Sequence, residues 1–183
     1  MHQNAIRHKT IRHRTIEHRT IEHRKGNALI EFTLLGIPLM FITISIVSVS
    51  IDMWEFHNLS YAVQATARYV TMHGETCTKN GNSCTINVGT VATYFKGQAL
   101  ALDPTQVIVK LTDSSGTTTC NPVNNCTSSV TQFPASGGNS VGSNVTVKAT
   151  YVLRNPIALF WPPNQDLPSV FTVGATSRQR VLF

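Results

Sequence analysis

The sequence predicts an α+β protein in which a long N-terminal transmembrane and stalk helix packs on a small, mainly antiparallel sheet. Three observations carry that expectation. No charged residue occurs from Phe32 to Ile51. The segment that follows keeps apolar residues at helical spacing, and three later stretches alternate apolar and polar residues as half-buried strands do. With 183 residues the chain is long enough for one modest domain and an anchor. The expected organisation is a leader over 1–26, a membrane helix over 27–51, a stalk helix over 52–73 and an outer domain over 74–183.

The leader is basic. Residues 1–26 hold seven Lys/Arg against Glu17 and Glu22, so they carry five of the six formal net charges. The body is close to neutral, so the high pI belongs to the N-terminus and says nothing either way about a nucleic-acid face on the body. Residues 6–25 read IRHKT, IRHRT, IEHRT, IEHRK. A five-residue step rotates a helix by a net ~140°, so the repeat holds no helical face, and on a strand it would switch sides each time. It reads as a low-complexity, disordered leader. The sharper alternative is metal or phosphate binding through His8, His13, His18, His23 and the arginines.

The apolar run explains itself by length. Twenty residues at ~1.5 Å each span about 30 Å, the hydrocarbon thickness of a bilayer. Thr33, Thr43 and Ser45 are tolerable there because a hydroxyl can bond back to a helix carbonyl. Pro38 is expected to kink the helix or loosen one turn. The basic flank places the leader in the cytoplasm and the chain beyond Ile51 outside. The run passes directly into "DMWEFHNLSYAVQATARYV", in which Phe56, Leu59, Val63, Ala67 and Val70 mark one helical face. Trp54 and Tyr61 read as interfacial aromatics or as stalk packing.

Glu31 stands almost at the start of the run. A carboxylate in a lipid-facing helix costs at least about 2.5 kcal/mol, which makes it a functional candidate by default. A cut between Gly26 and Asn27 would leave a free α-amine about one helical turn before Glu31. The ammonium of one subunit and the carboxylate of its neighbour could then neutralise each other and select the stacking register. The plainer alternative is an interfacial glutamate neutralised by Arg24 or Lys25.

In the outer domain, "NVGTVATYFKGQALAL" reads as a second helix with Val88, Val91, Phe95, Ala99 and Leu102 on one face. "TQVIVKLTD" reads as a strand with Val107, Val109 and Leu111 inward, and "SNVTVKATYVL" as another with Val145, Val147, Ala149 and Tyr151 inward. "SVFTVGATSRQRVL" is the third, with Gly174 a candidate bulge. Residues 113–143 are expected to be one long Ser/Thr/Asn/Gly-rich loop. Cys77, Cys84, Cys120 and Cys126 form two close pairs, and outside the cytoplasm two disulfides are expected. Three connectivities are open; Cys77–Cys84 and Cys120–Cys126 are favoured because each would staple a polar loop. Zinc is disfavoured by the ligand spacing. Phe160 and Trp161, between prolines, are a candidate contact loop or else cover the open end of the sheet.

Little in the chain points to catalysis, a cofactor or a metal, and no enzyme activity is expected. "GNSVG" at 138–142 matches a nucleophile elbow at Ser140, but the last histidine is His73 and no strand leads into the motif. His57 and His73 lie over four helical turns apart, too far to share a metal. Asn58, Asn125 and Asn144 begin N-x-S/T triplets that matter only in a eukaryotic secretory pathway.

"RKGNALIEFTLLGIPLMFITI" followed by "AVQATARYV" resembles TadE-like minor pseudopilins of the tight-adherence (Tad/Flp) type IV pilus system. The segment "YVLRNPIALFWPPNQDLPSVFTVGATSRQRV" is similar to the C-terminal part of that family. The resemblance covers the N-terminal half well and the last ~40 residues loosely. It implies a pilin-like fold, with Gly26 as the last leader residue, Asn27 as the mature N-terminus and Glu31 as the assembly glutamate. The implied partners are the membrane, a prepilin peptidase, other pilin subunits and the Tad assembly machinery. The implied location is the bacterial inner membrane, single-pass with the outer domain periplasmic, or the surface pilus, with a role in attachment and biofilm.

Overall fold

The computed structural model describes residues 4–73, 77, 84, 86–154 and 170–182, with side chains described from residue 28 onward. Phe160 and Trp161 lie outside the described residues. The chain divides into two compact units, Met1–Val47 and Ser48–Phe183.

The first unit is helical. Helix α1, Asn4–Thr71, begins just before the pentapeptide repeat, runs through it and contains Pro38. This corrects the expectation of a disordered leader. Arg, Lys and Glu are good helix formers, and no Gly or Pro interrupts the chain before Gly26. A helix already nucleated needs no apolar face to propagate through such residues.

In the second unit the C-terminal part of α1 turns Leu59, Ala62, Val63, Thr66, Ala67 and Val70 inward, all essentially buried. Steps of three and four residues keep these side chains on one stripe. Phe56, expected on that stripe, is 40% exposed and stands outside it. The buried face starts one turn later, at Leu59, and takes the small residues Ala62 and Thr66 that a purely apolar count passes over.

Helix α2, Val88–Gln98, buries Val88, Val91, Ala92 and Phe95. Its first N–H groups are all answered. Asn87 Oδ1 accepts from the Thr90 N–H at 2.7 Å. The Val88 and Gly89 N–H groups donate to the carbonyls of Thr131 and Ser129 at 2.8 and 3.0 Å. These donors have no partner within their own helix, so an outside acceptor is needed. The helix ends four residues short of the expected Leu102. Gly97 weakens its last turn, yet Ala99 and Leu102 stay buried in the cluster.

Four strands form one antiparallel sheet in the order β2-β1-β3-β4. They are β1 (Ile108–Thr112), β2 (Thr117–Cys120), β3 (Asn144–Arg154) and β4 (Val170–Arg180). The alternation predicted in β1 and β3 holds: Val109, Leu111, Val145, Val147, Ala149 and Tyr151 are all buried. Strand β2 and a 3₁₀ turn at Val123–Cys126 lie inside the segment expected to be one long loop. β2 reads Thr-Thr-Thr-Cys and buries only Cys120, so no apolar alternation announces it. Gly174 forms no bulge. The β3–β4 register runs unbroken from Asn144↔Arg180 to Arg154↔Val170. A side chain at 174 would meet Thr150 Cγ2 at 3.4 Å, an ordinary contact.

Both helices contribute to a single buried cluster on one face of the sheet, joined by Val123 and Phe133 from the connections. The Leu182 N–H donates to the Thr71 carbonyl at 3.2 Å, which ties the chain after β4 to the end of α1.

Asp113 closes the β1–β2 turn. Its Oδ1 accepts from the Ser115 N–H, the Ser115 hydroxyl and the Gly116 N–H, at 2.8, 2.6 and 3.0 Å. Its Oδ2 accepts from the Ala135 N–H at 2.7 Å, bridging 22 positions of sequence. Burial pushes this carboxyl up, but the bonds from the Ser115 hydroxyl and from the N–H groups of Ala135, Ser115 and Gly116 outweigh it, and the net shift is downward. A carboxyl held below its unfolded value adds stability above that value and loses it as pH falls through the folded one. Asp113→Ala is expected to lower stability by about 1–2 kcal/mol at neutral pH, discounted for partial exposure. In urea melts, wild type and variant should converge in strong acid.

Candidate functional site

The residues that set the chain apart lie on α1. Gly26 and Asn27 are within its helical backbone. Glycine is about 1 kcal/mol less favourable than alanine inside a helix, so Gly26 weakens the helix locally. Glu31 follows five residues later on an exposed position.

Around Glu31 and beyond it, apolar side chains project on every side. Leu29, Ile30, Leu34, Leu35 and Phe32, which together encircle the helix at ~100° per residue, are 68%, 63%, 69%, 71% and 77% exposed. A soluble helix buries one apolar stripe, whereas this one has apolar residues all round. One helix near the N-terminus, within Ala28–Thr71, is long and apolar enough to cross a membrane. The hydroxyls behave as expected. Thr33 Oγ1 donates to the Ile30 carbonyl at 2.9 Å, and Thr43 Oγ1 and Ser45 Oγ donate to Leu39 and Phe41 at 2.8 Å. Each hydroxyl proton is thereby satisfied within the helix, which is what an apolar surrounding requires. Pro38 has no N–H to offer the carbonyl four residues back. Trp54 and Tyr61 are 60% and 61% exposed, so among the described residues neither is packed into the core.

The cysteines pair locally, Cys77 with Cys84 and Cys120 with Cys126, at Cα separations of 5.3 and 5.6 Å. The second bond joins the end of β2 to the 3₁₀ turn. His73 does not reach toward His57. Its Nδ1 lies 2.6 Å from the Tyr69 carbonyl, and its ring sits 4.4 Å from Tyr69, which stacks on Tyr94 at 4.2 Å. Ser140 lies in the turn before β3, and its carbonyl accepts from the Ser143 hydroxyl.

Two features escaped the sequence reading. A cleft of about 280 Å³ is lined by Ser48, Ile51, Asp52, Glu55, Gln106, Tyr151 and Val152. It holds two carboxylates and no cation among its lining residues, on the helix-covered side of the sheet. The opposite side of the sheet is cationic. Lys110, Lys148, Arg178 and Arg180 are all exposed there, at positions that alternate with buried residues on β1 and β3 and with half-buried ones on β4. The near-zero net charge of the body thus conceals a separation of sign.

No protein-family model, curated protein or solved structure matches the chain.

Proposed function

We propose that the protein is a structural or assembly subunit, a TadE-like minor pseudopilin of a Tad/Flp-type pilus. The observation that carries it is a helix whose apolar residues are exposed all round, entered by a basic leader, Gly26 and, five residues on, Glu31. Exposed apolar surface on this scale needs a lipid or protein surrounding. A prepilin peptidase on the cytoplasmic side of the inner membrane would cut after Gly26. Asn27 would then supply an α-amine to pair with Glu31 of a neighbouring subunit. The apolar helix would pack among other pilin helices or remain in the bilayer, with the outer domain in the periplasm or on the fibre. The chain would do no chemistry of its own, and attachment would follow from the fibre it serves.

The antiparallel sheet with a helix across it supports a pilin-like plan without distinguishing it from other α+β folds. The alternative is an uncleaved, single-pass anchor carrying an extracytoplasmic binding module. N-terminal sequencing of the membrane-fraction protein, with and without the peptidase, separates the two. A start at Asn27 only when the peptidase is present supports the pilin route, and an intact repeat in both supports the anchor. Gly26→Val is expected to reduce cleavage at least tenfold, because a branched side chain stiffens and crowds the scissile position. Unchanged cleavage would remove Gly26 from the site.

A further inference from the structure

Registered pairing fixes what the outer face of the sheet presents. Side chains alternate across a strand, so the residues between buried Val109 and Leu111, and between Val147 and Ala149, point away from the core. These are Lys110 and Lys148, and they stand directly opposite each other in the β1–β3 pairing. Like charges directly opposite on a sheet are destabilising. On β4, Arg178 pairs with Thr146 and Arg180 with Asn144, on the same face. The four cations therefore form a bent row, straight across from Lys110 to Lys148, diagonally to Arg178 and then along β4 to Arg180. Cross-strand neighbours lie about 5 Å apart and alternate residues along a strand about 7 Å apart.

Thr146 and Thr176 stand among the cations, Thr119 and Thr150 flank them, and among the described residues no carboxylate shares the face. The described carboxylates of this unit are elsewhere. Asp52 and Glu55 line the cleft, Asp103 accepts from Thr105, and Asp113 accepts from its own turn and from Ala135. The fold thus keeps a row of mutually repelling cations without an internal counter-charge on their face.

We propose that this face binds the phosphate backbone of duplex nucleic acid, without sequence preference. Closely spaced Lys/Arg with interleaved hydroxyls is the donor set that contacts phosphates. The charge density of a duplex, about one per 1.7 Å of axis, matches a row spaced at 5–7 Å better than a sparse polyanion does. Described residues place no aromatic side chain on the face, so it offers no platform for unpaired bases, and duplex is favoured over single strand.

The test uses the full chain in zwitterionic lipid nanodiscs, with a fluorescent duplex of about 24 bp read by anisotropy over a salt series. With four phosphates neutralised, log K should fall with log salt at a slope of about −3 to −4. Lys110→Gln/Lys148→Gln/Arg178→Gln/Arg180→Gln should weaken binding at least tenfold. The leader is itself basic, so a second variant with its seven Lys/Arg changed to Gln must keep most of the affinity. Lys110→Arg/Lys148→Arg should bind as wild type. If the fourfold variant fails to fold, Lys148→Gln and Arg178→Gln singly should each reduce the slope by about one. Binding lost only with the leader would overturn the proposal. So would equal affinity for polygalacturonate at matched charge, which would assign the face to acidic polysaccharide instead, or no duplex binding by wild type at low salt.

Discussion

Gly89→Ala is expected to cost the outer domain about 3 kcal/mol or more, more than typical overpacking. A Cβ at this position would lie 2.6 Å from the Ser129 carbonyl oxygen and 2.7 Å from that of Thr127. Both obstacles are backbone, so no side chain can rotate away. The segment cannot simply retreat, because it accepts the Val88 and Gly89 N–H groups at 2.8 and 3.0 Å. Retreat would leave the N-terminus of α2 short of two acceptors, each worth about 1 kcal/mol, and would disturb Phe133, whose N–H reaches the Ile86 carbonyl at 3.0 Å. Urea melts of Gly89→Ala and, as a control, Gly97→Ala check this. Position 97 has nothing within 4 Å of a new Cβ, so alanine there should be neutral or slightly stabilising. A Gly89→Ala protein as stable as wild type would show that the close approach is not maintained in solution.

Glu31→Leu is expected to have the largest effect on function under the proposed assembly role. The substitution removes a carboxylate from an exposed position of an otherwise apolar helix, so insertion in the membrane should be equal or better. Cleavage after Gly26 should persist, because the scissile bond is five residues away. What should disappear is incorporation: the α-amine of a neighbour would have no counter-charge in an apolar setting, a loss of about 3–5 kcal/mol when one partner of a buried pair is removed. Membrane and sheared-fibre fractions, probed for the mature chain, read the outcome. A hundredfold fall in the fibre fraction with normal membrane levels is expected. An unchanged ratio would return Glu31 to the status of an interfacial charge.

The elements with strong apolar period were legible in the sequence, and the others were not, for physical reasons that differ case by case. β1 and β3 alternate cleanly because one face is core and the other is bare. α2 is legible because Val88, Val91 and Phe95 share a stripe, whereas the acceptors for its Val88 and Gly89 N–H groups are not, since they come from residues about forty positions later. β2 has three threonines in a row and is held by its pairing with β1 and by Cys120. Val123 and Phe133 enter the core from within polar connections, and isolated apolar residues there were the available signal. The helix through the repeat was missed because periodicity reports which side of a helix is buried, and a helix without a buried side gives no period. On the candidate site, Gly26, Glu31 and the apolar run could be read directly. The cationic row could not, because it is assembled by register from three strands.

The last strand carries one more consequence. Among the described residues β4 pairs only with β3, leaving its other edge as a row of open backbone donors and acceptors. Its two halves are guarded unequally. Residues 177–180, with Arg178 and Arg180, carry the charges that deter a foreign strand from adding to an edge. Residues 170–176, Val-Phe-Thr-Val-Gly-Ala-Thr, carry none, and Val170 and Phe171 are 47% and 44% exposed. Short, uncharged, β-prone segments of this kind are the seeds of cross-β stacking. Copies of the chain that accumulate unassembled would therefore aggregate from the Val170 end of β4, with Gly174 as the single residue there that weakens a growing ladder.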